Sequence, residues 1–354
     1  MENESMNRRE FMGAVTVMGS SGALGLGLNR DKDGKLKSLI KPQRLQPGDL
    51  VGLVTPASPP FESSAIREGK AMLESLGFRV KPGKNLGKKQ GYLAGTDRER
   101  ADDLHEMFLD KEIRAIVALR GGYGTGRLIE YLDFKLIAQN PKILIGYSDI
   151  SLLNLAIHQM TGLVTFHGPV ALSSFNKYTT HYFMKVLTEA APVGEIEKPP
   201  LSDLQKFDGI FPIREGKASG PLIGGNLTMI VATLGTPFEI DTAGKILFIE
   251  EVGEEPYDLD RMLTQLRYAG KLEKAAGIIL DKCARCSPAE YKPAFENSFS
   301  IEDVFFDRLK DLNCPVLYGL SLGHAAYKPT LPLGIAVTMN TQSGQIQIDE
   351  AAVS

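Results

Sequence analysis

The run Ile143-Leu144-Ile145-Gly146-Tyr147-Ser148-Asp149-Ile150-Ser151 holds the first residues that could do chemistry. Three β-favouring aliphatics follow Pro141 and Lys142, and beyond the glycine Leu152, Leu153, Leu155 and Ala156 take up helical spacing. A buried strand therefore enters a helix through one tight turn. A serine on such a turn stands above the carboxyl edge of a sheet with its Oγ exposed, and the first amides of the helix are free to bind an anion. This is the layout of a nucleophile elbow. The segment by itself fits a plainer reading better, in which Ser148 or Asp149 simply caps the helix.

A nucleophile acquires meaning from its partners. His324 lies in the turn Ser321-Leu322-Gly323-His324 behind the apolar run Pro315 to Tyr318. Taken alone, such a histidine is more often structural than catalytic. Glu250 stands where the strand Lys245 to Ile249 gives way to a loop, although Glu251, Glu254 and Glu255 crowd the same stretch and also read as a solvated acidic loop. Serine, glutamate and histidine together supply nucleophile, orienter and base, and such triads occur in several chain orders. His167, in Phe166-His167-Gly168-Pro169, is a rival base and reads more readily as a strand-end residue bonded to backbone. The loop Arg120-Gly121-Gly122-Tyr123-Gly124-Thr125-Gly126 follows the strand Ala115 to Leu119, so its amides can face a ligand. It matches a dinucleotide loop only loosely and lacks an acidic residue at the required distance, which favours a place on one side of an oxyanion pocket.

The elements that must position these groups form an α/β pattern. Leu50 to Val54, the helical spacing Ile66, Met72, Leu73 and Leu76, and then Phe78 to Val80 make a βαβ start. The 354 residues suit two domains at about 150 residues each. Residues 1–40 read as a signal and linker, 41–190 as an N-terminal α/β domain with the serine, 191–216 as an interdomain connection and 217–354 as a C-terminal domain with the glutamate and histidine. Gly220 to Leu227 is expected to open a turn and a helix running to Leu234.

A net charge of −3 gives no reason to expect nucleic acid or an anionic membrane as partner. Asn7-Arg8-Arg9-Glu10-Phe11-Met12 precedes the uncharged, mildly apolar stretch Gly13 to Leu28, the pattern of a twin-arginine export signal. No cysteine follows that stretch, so no lipid anchor is expected. Cys283-Ala284-Arg285-Cys286 has redox or half-zinc spacing but no second pair to complete a tetrahedral site. No metal and no cofactor are expected. The pair could close a small disulfide in an oxidising compartment, and Cys314 reads as a buried residue.

From about Lys41 to near its end the chain resembles the LD-carboxypeptidases, also called muramoyltetrapeptide carboxypeptidases. The resemblance rests on Pro47-Gly48-Asp49 with Thr55-Pro56, Tyr92-Leu93-Ala94-Gly95-Thr96-Asp97, Arg120-Gly121-Gly122-Tyr123-Gly124 and Gly146-Tyr147-Ser148-Asp149. It continues through His167-Gly168-Pro169, Gly224-Gly225-Asn226-Leu227, Phe248-Ile249-Glu250-Glu251, and Gly323-His324 with Leu331-Pro332-Leu333-Gly334. Each match is weak alone; their shared order is specific.

The resemblance implies an N-terminal flavodoxin-like parallel-sheet domain and a smaller C-terminal mixed β/α domain of swivelling type, with the active site between them and a homodimer as the common assembly. It implies a serine peptidase in which Ser148 is nucleophile, His324 base and then acid, and Glu250 the orienting carboxylate. The Asp149 amide and an amide of Gly121 or Gly122 would hold the oxyanion. Arg120 is the residue expected to meet the substrate's free carboxylate. The implied reaction removes the terminal D-Ala of a peptidoglycan tetrapeptide after an L-centre diamino acid, here in the periplasm. Two other readings compete. One is a microcin-immunity-like serine peptidase acting on peptide–nucleotide conjugates, which the lack of tryptophan disfavours. The other is a non-catalytic exported muropeptide-binding module.

Overall fold

The computed structural model describes residues 39–200 and 209–354. The expected export signal and the linker Asn29 to Lys37 lie outside the described residues.

Two sheets organise the chain. The first is built from β1 (Leu50–Val54), β2 (Arg79–Pro82), β3 (Ile113–Ala118), β4 (Ile143–Gly146) and β5 (Phe166–His167). The second takes β6 (Gly194–Ile196), β7 (Phe211–Arg214), β8 (Lys217–Asn226), β9 (Ile246–Glu250), β10 (Gly277–Asp281) and β11 (Val316–Leu320). The chain closes with β12 (Leu331–Pro332), β13 (Ala336–Asn340) and β14 (Gln345–Ile348).

The first sheet runs β12-β5-β4-β3-β1-β2, and every pairing from β5 to β2 is parallel. This is the 2-1-3-4-5 order of a flavodoxin-like sheet, whose ligands bind beyond the carboxyl ends of the strands. Alternation along β3 and β4 explains why both faces are covered. Ala115, Val117, Ile143 and Ile145 join one apolar cluster, while Ile116, Ala118 and Leu144 join another with Leu153 and Ile157 of the helix Ile150–Thr161.

The second sheet runs β6-β14-β13-β8-β9-β10-β11-β7, parallel from β8 to β11 and antiparallel at both flanks. The two sheets share the first of those clusters, which passes from Val117 and Phe166 to Ile223, Phe248 and Ile279. β12 pairs antiparallel with β5, Leu331 opposite His167, so the later half of the chain adds an edge strand to the first sheet.

Two stretches differ from expectation. Gly220 to Asn226 continues β8 instead of turning, and the helix is confined to Leu227–Ala232. Gly224 has φ 146°, and a Cβ there would run into the Phe248 carbonyl, so this glycine serves close strand approach. The span 191–216, expected as a connection, contributes β6 and β7 to the second sheet. Their partners, β14 and β11, are remote in sequence, which leaves no local periodicity to read.

Candidate active site

Ser148 sits just past β4 with φ 65°, a left-handed conformation that a serine adopts only at a cost. Gly146 makes the bend possible, because a Cβ there would stand 2.8 Å from Ile150 Cγ2. Asp149 occupies the cap position of the following helix, yet its side chain makes no capping bond. Its Oδ2 instead accepts the Thr125 N–H at 2.8 Å, and its carbonyl accepts the Thr125 hydroxyl at 2.6 Å. The elbow is thus tied to the glycine loop. Burial pushes the Asp149 carboxyl above its ordinary value despite those bonds.

The glycine loop reaches the serine directly. A Cβ on Gly121 would stand 2.8 Å from Ser148 Cβ and 3.1 Å from its Oγ, so glycine lets this backbone lie against the side chain. Gly122, with φ 125°, packs on Ser58, whose Oγ accepts the Tyr123 N–H at 3.1 Å. Ser58 follows β1, the strand beside β3, which is why two loops distant in sequence meet here.

His324 follows β11, and its Nδ1 lies 2.7 Å from Glu250 Oε2. Glu250 ends β9 with no solvent exposure. Burial works to raise its carboxyl, but hydrogen bonding with His324 and the charge of that imidazole outweigh it and leave Glu250 below its ordinary value. Glu251 points elsewhere. Its Oε2 accepts the amide and hydroxyl of Thr228, and its Oε1 accepts from Asn226 Nδ2 and the Val252 N–H. Both glutamates are buried, so the solvated acidic loop does not describe them.

His167 is a support. Its Nε2 donates to the Leu322 carbonyl at 3.2 Å, its Nδ1 faces Ser151 Oγ at 3.4 Å, and burial holds its pKa down at about 4. With both ring nitrogens engaged, it braces the His324 loop from the first sheet. The Tyr147 ring lies 4.7 Å from that of His324, inclined at 60° to it, and the ammonium of buried Lys328 lies 5.1 Å from the centre of the same tyrosine ring. Cys283, Cys286 and Cys314 are buried free thiols.

A cavity of about 540 Å³ brings these groups together. Arg120, Gly121, Gly122, Tyr147, Ser148 and His324 all line it, and the side chains come from both sheets. Arg120 is oriented by hydrogen bonds to the carbonyls of Gly121 and Pro59, both at 3.2 Å, and by Phe61, whose ring lies 4.7 Å from the guanidinium. Asp281, which accepts the Gly323 N–H at 2.9 Å, has no role in the sequence reading. A carboxylate at the end of the apolar run Gly277 to Leu280 repeats the Glu250 pattern and was the available signal.

Known proteins share this fold. The LD-carboxypeptidase N-terminal domain matches residues 51–168, and the LD-carboxypeptidase C-terminal domain matches residues 219–339. A probable murein peptide carboxypeptidase of Bacillus subtilis is 44% identical over 314 residues, covering 89% of this chain and 95% of that protein. The solved muramoyltetrapeptide carboxypeptidase of Oxalobacter formigenes superposes with TM-score 0.72 at 29% identity, over 85% of this chain and 98% of its own. The microcin C7 self-immunity protein MccF, solved with aspartyl sulfamoyl adenosine, gives TM-score 0.79 at 29% identity, over 89% of this chain and all of its own (100%). The chain belongs to the LD-carboxypeptidase family.

Proposed function

We propose that this peptidase is a serine LD-carboxypeptidase that removes the terminal D-Ala from peptidoglycan tetrapeptides after an L-centre diamino acid. The observation that carries the reading is the His324–Glu250 bond at the wall of the cavity that Ser148 and Gly121 also line. The family membership and the murein peptide carboxypeptidase name of the Bacillus subtilis relative support it.

In this mechanism Glu250 accepts the Nδ1–H of His324, which leaves Nε2 unprotonated to take the Ser148 proton. Ser148 Oγ attacks the carbonyl carbon of the penultimate residue. The negative charge that gathers on the carbonyl oxygen is held by the Asp149 amide and an amide of Gly121 or Gly122, a contribution of about 3 kcal/mol per donor. His324 returns the proton to the leaving D-Ala nitrogen. Water then attacks the acyl-serine through the same imidazole, and the shortened peptide leaves. Arg120 receives the substrate's terminal carboxylate, which makes the enzyme an exopeptidase.

The twin-arginine pattern at Arg8 and Arg9 supports a periplasmic site of action on muropeptides or wall, and the protein acts as a homodimer. A reporter fused to residues 1–40 that stays in the cytoplasm would remove the export assignment; a monomer in sedimentation would remove the dimer. The central test is incubation with L-Ala-γ-D-Glu-meso-diaminopimelate-D-Ala and detection of free D-Ala by mass spectrometry. Release that survives Ser148→Ala overturns the nucleophile. The likeness to MccF favours a second reading, hydrolysis of a peptide–nucleotide conjugate. Turnover of an aspartyl sulfamoyl adenosine without D-Ala release from the tetrapeptide would select it. Binding of the tetrapeptide with no turnover of either substrate would leave a muropeptide-binding module.

A further inference from the structure

The loop that carries His324 is held by a second buried carboxylate. Asp281 ends β10, the strand between β9 and β11, with its Cα opposite Leu320 while Leu280 before it faces Ile249. Its Oδ2 accepts the Gly323 N–H at 2.9 Å, its Oδ1 accepts the Lys282 N–H at 2.6 Å, and the Leu322 amide also bonds to it. The Leu322 carbonyl is taken by His167 Nε2. The two residues before the imidazole are therefore gripped from both sheets. Gly323 also lies so close to Glu250 that a Cβ on it would run into that carboxylate. Little freedom is left for the imidazole to approach Glu250 in any other way.

A buried anion beside another needs a compensating role, because desolvation and repulsion both oppose it. The groups that face Asp281 are Glu250 from β9, Tyr318 from β11, Cys283 from its own loop and Lys328 from beyond His324. Lys328 brings positive charge to both carboxylates, and its ammonium rests on the Tyr147 ring next to Ser148.

We propose that Asp281 is a positioning residue for the peptidase reaction: as a carboxylate it fixes the Leu322 and Gly323 amides and so aims His324, and on taking up a proton it slackens that loop. The proposal rests on the triad reading given above. Burial first, and then the charge of Glu250, push the Asp281 carboxyl up to about 7. Its charged, loop-holding form therefore prevails above that pH and is lost as pH falls through it. Charge-assisted bonds are roughly twice as strong as neutral ones, so the amide grip weakens on protonation.

The test uses the full chain and two readouts. The Gly323 amide, followed by NMR in ¹⁵N-glycine protein, shifts with a midpoint near pH 7. That titration persists in His324→Asn, which removes the neighbouring imidazole, and disappears in Asp281→Asn. In D-Ala release from the tetrapeptide, log kcat/KM falls more steeply on the acid side in the wild type than in Asp281→Asn, which lacks the titrating carboxyl. At pH 8 the same variant loses at least about tenfold in kcat with KM little changed. A Gly323 amide that stays flat between pH 5 and 9 in the His324→Asn protein overturns the proposal, as does an identical acid slope in wild type and Asp281→Asn. The NMR readout needs no substrate, so a titrating Gly323 in a protein that releases no D-Ala counts against the peptidase reading and leaves the loop contact standing. Should Asp281→Asn fail to fold, the amide titration in His324→Asn decides the matter.

Discussion

His324 Nδ1 and Glu250 Oε2 meet at 2.7 Å although 74 residues separate them, and Glu250 is fully buried at the meeting point. The bond joins the loop after β11 to the end of β9. β10 lies between those strands, so the contact requires the parallel order β9-β10-β11 and could not form in a hairpin.

Glu250→Gln tests that bond. The amide can present its NH₂ to the ring and stabilise the wrong imidazole tautomer, so kcat falls by about 10⁴-fold, as in related triads. The Glu250 carboxyl lies below its unfolded value, so its stabilisation is present above the ordinary Glu range and is lost as pH falls through the folded value. The gap in Tm between wild type and Glu250→Gln should therefore shrink as pH falls from 6 toward 3. A gap that widens would contradict the assigned direction.

Ser148→Ala and Ser148→Gly should each lose at least about 10⁴-fold in kcat. They should differ in stability. At φ 65° glycine escapes the strain that any Cβ brings, so Ser148→Gly should be the more stable by about 1 kcal/mol in urea unfolding. Equal stabilities would show that the left-handed turn is not strained.

Arg120→Ala should raise KM for the free-acid tetrapeptide by about 10- to 100-fold, the loss of a charge-assisted contact of 1.5–3 kcal/mol. Wild type should discriminate against the C-terminally amidated peptide and Arg120→Ala should not. Discrimination that survives the substitution would assign the carboxylate to another group.

His167→Asn should retain activity within about tenfold and keep the wild-type acid limb, because His167 is already neutral at a pKa of about 4 and braces Leu322. His324→Asn should lose at least about 10³-fold. The reverse ranking would make His167 the base.

Much of this was legible in the chain. The aliphatic run of β4, its glycine and the helical spacing after Ile150 specified a strand, a turn and a helix, because these signals depend on neighbours in sequence. Ser148, Glu250 and His324 could be proposed at strand ends for the same reason. The structure decided what sheet pairing controls. A one-residue change of register sends a strand side chain to the opposite face, so only the β8–β9–β10 pairing shows that Glu250 meets His324 while Glu251 turns to Asn226 and Thr228. Pairing likewise drew Gly220 to Asn226 into a strand and gave β6 and β7 partners remote in sequence. It set Asp281 under the Gly323 amide and engaged His167 with Leu322, 155 residues away. Local sequence carries propensity and periodicity; burial, register and the approach of distant loops arise only when the two sheets close on each other.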